Sequence, residues 1–215
     1  MQKLDLKKDL KNLYSPPLKS IAVVDVPVMT FLMIDGAIEP EHSPGTSPRF
    51  QEDMQALYAA AYSLKFAAKQ RQKDPVDYPV MALEGLWWIR GGTFDIQKPG
   101  NWIFTLMIMQ PDLITPEMFA ECLAQMRRKR GDQPAFARLK LDVFQEGLCV
   151  QAMHIGSYSA EPATIARMQA YAQENGYRDQ VGTGGKHHEI YLRDPRRTDP
   201  SRLKTVLRYP VQKVK

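Results

Sequence analysis

The sequence predicts an α+β fold: a curved, largely antiparallel sheet built from a duplicated strand–helix–strand–strand unit, with two helices covering one side. Three observations predict it. Two long segments, after Ser47 and after Ala160, carry apolar residues at helical spacing, and short runs rich in Val, Ile, Met and aromatics lie between and after them. Two stretches read as one motif written twice: Ile103-Phe-Thr-Leu106 runs on to Pro111 and Thr115-Pro116, as Glu189-Ile-Tyr-Leu192 runs on to Pro195 and Thr198-Asp-Pro200. The strand-plus-glycine ends Phe31–Gly36 and Met153–Gly156 match likewise, and each leads through a loop into a long helix.

Taken in order, residues 1–20 place Leu4, Leu6, Leu10 and Leu13 among five lysines and stop at Ser15-Pro16-Pro17, the pattern of a short basic amphipathic arm. Ile21 to Asp35 reads as strand, broken by Pro27. Ser47-Pro48 opens a helix whose stripe is Phe50, Met54, Leu57, Ala61, Leu64 and Ala68, ending near Asp74-Pro75. Tyr78–Arg90 and Trp102–Met109 are strands joined by the glycine-rich loop Gly91–Asn101. Thr115 is the expected N-cap of the next helix, whose end carries Arg127–Arg130, suited to the negative end of a helix dipole. Arg138–Gln145 and Gly147–Ile155 read as a hairpin, Ala160–Glu174 as a helix, and Lys186–Arg193 and Lys204–Tyr209 as strands. The expected division is an arm over 1–20 and one domain over 21–215, in two pseudo-repeats of about 21–130 and 131–215.

Composition narrows the function classes. With 215 residues, 44% hydrophobic and 25% charged, the chain has the make-up of an ordinary globular protein. The net charge of +5 is concentrated in residues 186–215, where nine Lys/Arg face three Asp/Glu. Such a tail is the pattern of a solvated edge, so nucleic acid is not the expected partner. Two cysteines, Cys122 and Cys149, exclude a disulfide framework and fit a reducing compartment. No apolar run approaches the ~20 residues that span a bilayer, and the N-terminus lacks the apolar stretch of a signal peptide, so a cytoplasmic location is expected.

Motif by motif, much is excluded. Gly182-Thr-Gly-Gly-Lys186 is followed by His187 rather than Ser or Thr and by a strand rather than a helix, so it is not a phosphate loop. His187 and His188 alternate across a strand and cannot chelate one ion together, His42 and His154 lie far off, and no metal or cofactor is expected. No Gly-x-Ser-x-Gly elbow occurs.

What stands out is Glu189, in the middle of a strand, sharing a face with His187 and Tyr191, while His188-Ile190-Leu192 are expected to pack toward the helices. Aromatic residues stand in matching places. The strand around Glu84 puts Trp87 and Trp88 on opposite faces, with Glu84 on the Trp88 side, and alternation alone does not say which face turns inward. Trp102 opens the partner strand, and Tyr158 follows the Ile155-Gly156-Ser157 corner. Aromatics converging on a strand carboxylate make an apolar cleft with one anionic anchor, the make-up of a small-molecule pocket.

The chain resembles the GyrI-like small-molecule-binding family, in its stand-alone form, over nearly its whole length. The matching stretches are Asp9-Leu-Lys-Asn-Leu-Tyr-Ser-Pro16, Phe31-Leu-Met-Ile-Asp-Gly36, Ser47-Pro-Arg-Phe-Gln51 with Ala56-Leu-Tyr58, Leu83-Glu-Gly-Leu-Trp-Trp88, His154-Ile-Gly-Ser-Tyr158 with Glu161-Pro-Ala163, and Lys186-His-His-Glu-Ile-Tyr-Leu192. The same module resembles the effector domains of multidrug-responsive MerR-type and AraC-type regulators. The resemblance implies a central groove for planar, often cationic or aromatic compounds, with the groove glutamate at Glu189 and the groove tyrosine at Tyr158; Ser157 stands where many relatives carry Pro. Some stand-alone relatives open the cyclopropane ring of DNA-alkylating compounds. Two readings follow: hydrolysis, with Glu189 as base and Tyr158 as donor to the phenolate released, or binding alone, with Glu189 attracting a cation stacked on Trp87, Trp88, Trp102, Tyr158 and Tyr191. His187 would assist proton traffic, and Glu84 is a second candidate carboxylate. The rivals are a sensor reporting to a protein partner and a gyrase-inhibiting interaction module. Against the latter, residues 1–20 hold more Lys than Asp and lack the acidity of a DNA mimic.

Overall fold

A computed structural model describes residues 1–92, 94–97 and 101–214. The chain order is β1 (Gln2–Lys3), α1 (Leu6–Asp9), α2 (Lys11–Tyr14), β2 (Ile21–Val26), β3 (Met29–Ala37), α3 (Pro48–Lys69), β4 (Val76–Asp77), β5 (Leu83–Ile89), β6 (Trp102–Gln110), α4 (Pro116–Arg130), α5 (Pro134–Arg138), β7 (Lys140–Phe144), β8 (Gly147–Ile155), α6 (Glu161–Glu174), β9 (Tyr177–Asp179), β10 (His187–Tyr191) and β11 (Lys204–Lys213). The helix starts follow local chemistry. Ser47 accepts a hydrogen bond from the Phe50 amide at 3.0 Å, Thr115 accepts one from Met118 at 3.3 Å, and each is followed by Pro at the first helical position. α3 ends at Lys69, a turn earlier than its sequence pattern suggests, and Asp74 takes a positive φ in the connection that follows.

Among the described residues, one mixed-length sheet runs in the order β2-β8-β11-β10-β5-β6-β3-β7, with β9 added beside β11. The order has a two-fold logic. β10 and β5 pair at the centre, and each is followed outward by three strands of matching role. β2 continues into β3 across Pro27-Val28, and β7 continues into β8 across Gln145-Glu146. Both pairs keep one antiparallel register, Val26 opposite Gly147 and Met29 opposite Phe144. They form a single ribbon, interrupted in the middle, whose ends join opposite edges of the sheet and force it to curve. β7 and β8 are therefore not the hairpin that their sequences suggest. Glu146, between them, turns inward to meet His188 and Arg208, so the chain bends there instead of reversing. The loop after β5 joins an antiparallel pair as expected, though Thr93 and Lys98–Gly100 lie outside the described residues.

Antiparallel partners share a face. Trp87, Phe104, Gly85, Glu189, His187, Leu207 and Tyr209 fall on one face by register. α3 covers that face through Phe50, which stacks on Trp87 with ring centroids 5.6 Å apart. α6 covers it through Met168 and Ala172, which pack with Leu207 and Tyr209. Both long helices thus lie on the side of Glu189. The expectation that His188 and Ile190 face them is reversed: those residues turn toward the N-terminal segment.

There α2 sits over a buried ionic network. Tyr14 donates to Glu84 at 2.6 Å, and His188 donates from Nε2 to Glu84 at 3.1 Å and from Nδ1 to Glu146 at 3.0 Å. Arg208 reaches Glu146 at 3.4 Å, Gln151 at 3.2 Å and the Leu13 carbonyl at 2.8 Å. Two carboxylates are matched by two cations, the condition under which buried charge is tolerable. Burial alone would lower the His188 pKa, but the Glu146 charge and hydrogen bonds to Glu146 and Glu84 outweigh it and push it up to about 9. Both cysteines are buried and free. Among the described residues no helix is long and apolar enough to cross a membrane.

A histidine whose folded pKa is raised stabilises the fold fully below its ordinary value and loses that contribution as pH rises through the folded value. Melting measured from pH 6 to pH 10 is therefore expected to fall between about 6.5 and about 9. His188→Ala should reduce that slope, leaving the part that comes from Glu161, whose raised pKa lowers stability over the same window, and cost on the order of 3–5 kcal/mol by stranding the carboxylates. A wild-type melting temperature that is level across this window would contradict the imidazolium assignment.

Candidate functional site

Glu189 stands at the centre of the sheet, in the strand that pairs with β5, and its cross-strand partner is Gly85. A glycine there leaves space beside the carboxylate, and two rings lean into it. A Cβ on Gly85 would lie 2.6 Å from Trp87 Nε1 and 3.1 Å from the Tyr191 hydroxyl. Those two groups are themselves bonded, Trp87 Nε1 donating to the Tyr191 oxygen at 3.0 Å. Around them stand Trp102, 5.8 Å from Trp87, and Tyr158, edge-on to Tyr191 at 5.9 Å. Glu189 is 6% exposed, so the carboxylate lies within the ring cluster and not in bulk solvent.

His187 links the carboxylate to the opposite wall. Its Nδ1 lies 2.7 Å from the Tyr209 hydroxyl and its Nε2 lies 2.7 Å from Glu189 Oε1. A carboxylate only accepts, so Nε2 carries the proton and Nδ1 accepts from Tyr209. Burial first, and then the Asp179 and Glu189 charges, push the Tyr209 pKa far up, which keeps that hydroxyl a donor. Burial and the Glu189 charge also raise the Tyr158 and Tyr191 phenols. Tyr158 is positioned from below by His154, whose ring bridges Thr164 at 2.9 Å and the Ser157 carbonyl at 3.1 Å. Gly156, between them, takes φ +137°, a conformation that only glycine adopts easily.

The site holds residues that sequence reasoning did not assign to it. Glu161, first in α6, is fully buried beside Glu189 and His187, and one ligand atom from each of the three lies within 4.8 Å of the others. The Thr205 hydroxyl is the hydrogen-bonding neighbour of the Glu161 carboxyl, without well-formed geometry to either oxygen. Burial, and then the Glu189 charge, push its pKa up to about 10, against the lowering effect of hydrogen bonding from Thr205. A carboxylate at a helix N-terminus gains about 0.3–1 kcal/mol from the dipole, too little to offset a second buried negative charge beside it. The acid therefore keeps its proton. Phe94 is the other addition: its ring stacks on His187 at 5.0 Å and 21° and also meets Trp102 at 5.0 Å.

Two carboxyls and an imidazole are also a metal-ligand set. However, His187 Nε2 and Glu189 Oε1 are in direct contact at 2.7 Å, closer than the ~3.4 Å that two ligands of one tetrahedral ion keep at bonds of about 2.1 Å. Proton sharing accounts for this geometry with nothing inserted.

The structure places Glu84 and Trp88 on the opposite face from Glu189. Glu84 belongs to the ionic network under α2, and Trp88 lies beneath the Lys186 ammonium, 3.6 Å from its ring centroid. Glu189, His187, Tyr191, Tyr158, Trp87 and Trp102 come together. Two hollows open to solvent on either side of Phe94. One, of about 180 Å³, is lined by Trp87, Trp88, Phe94, the Gly182–Gly185 turn and Lys186; the other, of about 200 Å³, by Phe94–Gln97, α6, Asp179 and Tyr209. Neither is lined by Glu189, because the Phe94 ring stands over His187. Gly85→Ala is expected to break the Trp87–Tyr191 bond, destabilise the fold by about 1–3 kcal/mol and shift tryptophan emission. Emission and melting identical to wild type would show that the glycine is not holding this gap open.

No curated protein matches the chain. Among solved structures, an uncharacterised conserved protein from Listeria innocua is 38% identical, with TM-score 0.86 over 97% of this chain and all of that one. Two proteins from Listeria innocua named as hydrolases are 36% and 38% identical, with TM-scores 0.82 and 0.83 over 97% and 98% of this chain and all of theirs. The C-terminal domain of EcmrR shares the fold at 12% identity, with TM-score 0.53 over 91% of this chain and 98% of that domain. The model of the GyrI-like small-molecule-binding domain matches residues 20–212. The chain belongs to the GyrI-like small-molecule-binding family.

Proposed function

We propose that the face between α3 and α6 binds planar aromatic compounds and hydrolyses those carrying a strained cyclopropane conjugated to a carbonyl. The observation that carries this reading is a buried carboxylate, Glu189, set against Gly85 within a cluster of indole and phenol rings. The Listeria innocua proteins named as hydrolases, at 36% and 38% identity, support the catalytic half. The Glu189 carboxylate among these rings favours cationic ligands stacked on Trp87, Trp102 and Tyr158. Phe94 occupies the aromatic slot over His187, so an incoming ring takes its place.

In the reaction, Glu189 removes a proton from water as the water oxygen bonds to the ring CH2. The carbon–carbon bond breaks, and its electron pair passes through the conjugated system to the carbonyl oxygen, which becomes a phenolate. Tyr158, held protonated by burial and by Glu189, donates a hydrogen bond to that oxygen. Release of ring strain supplies much of the driving force, so base help of about 10²–10⁴-fold suffices. The rival reading, a sensor or protein-interaction module that only binds, uses the same rings without turnover. A cytoplasmic location and a small-molecule partner, rather than nucleic acid, go with either reading.

Glu189→Gln separates the two. Turnover of a cyclopropane-bearing alkylator is expected to fall by about 10²-fold or more, while quenching of tryptophan fluorescence by neutral planar compounds persists. Equal rates for variant and wild type would remove Glu189 as the base, and a wild type that binds without turning over would leave the binding reading standing.

A further inference from the structure

Glu161 has no task in the cyclopropane reaction. There the oxygen that gains charge is several bonds from the attacked carbon, whereas the Glu161 and Glu189 ligand atoms lie within 4.8 Å of each other. Two such groups cannot serve both ends of a conjugated dienone at once. Yet Glu161 is wholly buried, and Thr205 is the hydrogen-bonding neighbour of its carboxyl without well-formed geometry to either oxygen, an arrangement that costs stability unless something else meets them. Glu189 has a well-placed donor in His187 at 2.7 Å, whereas Glu161 has only the neighbouring Thr205 and is the more deeply buried, so the single proton of the pair sits on Glu161. The result is a neutral acid beside a second carboxyl, their ligand atoms within 4.8 Å of each other in a closed part of the ring cluster.

We infer that Glu161 and Glu189 form an acid–base pair that hydrolyses epoxides carried on aromatic rings. This deepens the groove reading and rests on it. In an epoxide the leaving oxygen is bonded to the attacked carbon itself and afterwards stays on its neighbour, so the site of attack and the oxygen that gains charge lie within reach of two closely spaced carboxyls. The ionised Glu189 takes a proton from water, and the water oxygen bonds to one ring carbon, preferentially the one bearing the aryl group. The bond between that attacked carbon and the epoxide oxygen breaks as the water bonds from the far side, its electron pair stays on the oxygen, which remains attached to the neighbouring carbon, and that oxygen takes the Glu161 proton. One water and one epoxide give one 1,2-diol, with no cofactor. Glu189 then carries the proton and Glu161 the charge, and transfer between these neighbours restores the starting state. Trp87, Trp102 and Tyr158 hold the aryl group while His187 keeps Glu189 oriented.

The test uses the full chain with styrene oxide and trans-stilbene oxide in water enriched in heavy oxygen. Wild type is expected to form diol above the uncatalysed rate with one labelled oxygen per molecule. Glu161→Gln preserves the size and neutrality of the protonated acid, so melting and tryptophan quenching should match wild type while diol formation drops about 10²–10⁴-fold. Glu161→Asp, which keeps an acid at shorter reach, should recover part of that rate. Quenching by the epoxides without diol formation, or a Glu161→Gln rate equal to wild type, overturns this inference while the cyclopropane reading stands. Absence of quenching by any aromatic epoxide overturns both.

Discussion

The antiparallel register of β10 on β5 is the constraint on which the site depends. It sets Glu189 opposite Gly85 and Ile190 opposite Glu84, so the two central carboxylates leave the sheet in opposite directions. A slip of one residue would exchange the faces. Glu189 would pass under α2, and His188 would take its place between the helices. The curved ribbon of β2–β3 against β7–β8 guards this register, because it ties both outer edges of the sheet to each other. The pairing at the centre then has no freedom to slide.

The two faces handle buried charge in different ways. Under α2, Glu84 and Glu146 are met by His188 and Arg208, and the charges balance with nearly every polar atom bonded. Between α3 and α6, Glu189 is met by His187 and Glu161 only by Thr205, and Glu161 keeps its proton. The first arrangement holds the N-terminal segment to the sheet and spends its polar groups on structure. The second leaves an acid without a well-formed partner, the kind of local imbalance expected where a protein meets a ligand or a reacting group.

Much of the fold was legible because it rests on local rules. Ser47-Pro48 and Thr115-Pro116 start helices through their own side chains, and Pro27 interrupts a strand through its missing donor. Alternation on β10 was enough to group His187, Glu189 and Tyr191. The rest depended on partners far along the chain. Gly147–Ile155 reads as the return of a hairpin until Glu146 is seen bonded to His188, 42 positions away. Glu84 and Trp88 alternate as plausibly inward as outward, and only the register on β10 decides. Glu161 sits where an acid ordinarily serves the helix dipole, and Phe94 lies in a loop. No spacing rule aims either residue at a carboxylate on another strand.

The central claim is that Glu189 and its rings form the ligand seat. The most direct measurement is a crystal structure of the chain with ethidium, a planar aromatic cation. The account predicts its rings between Trp87 and Tyr158, the Phe94 ring displaced from His187, and the cationic nitrogen turned to the Glu189 carboxylate. Ethidium seated instead against Trp88 and Lys186, with Phe94 still on His187, would contradict it.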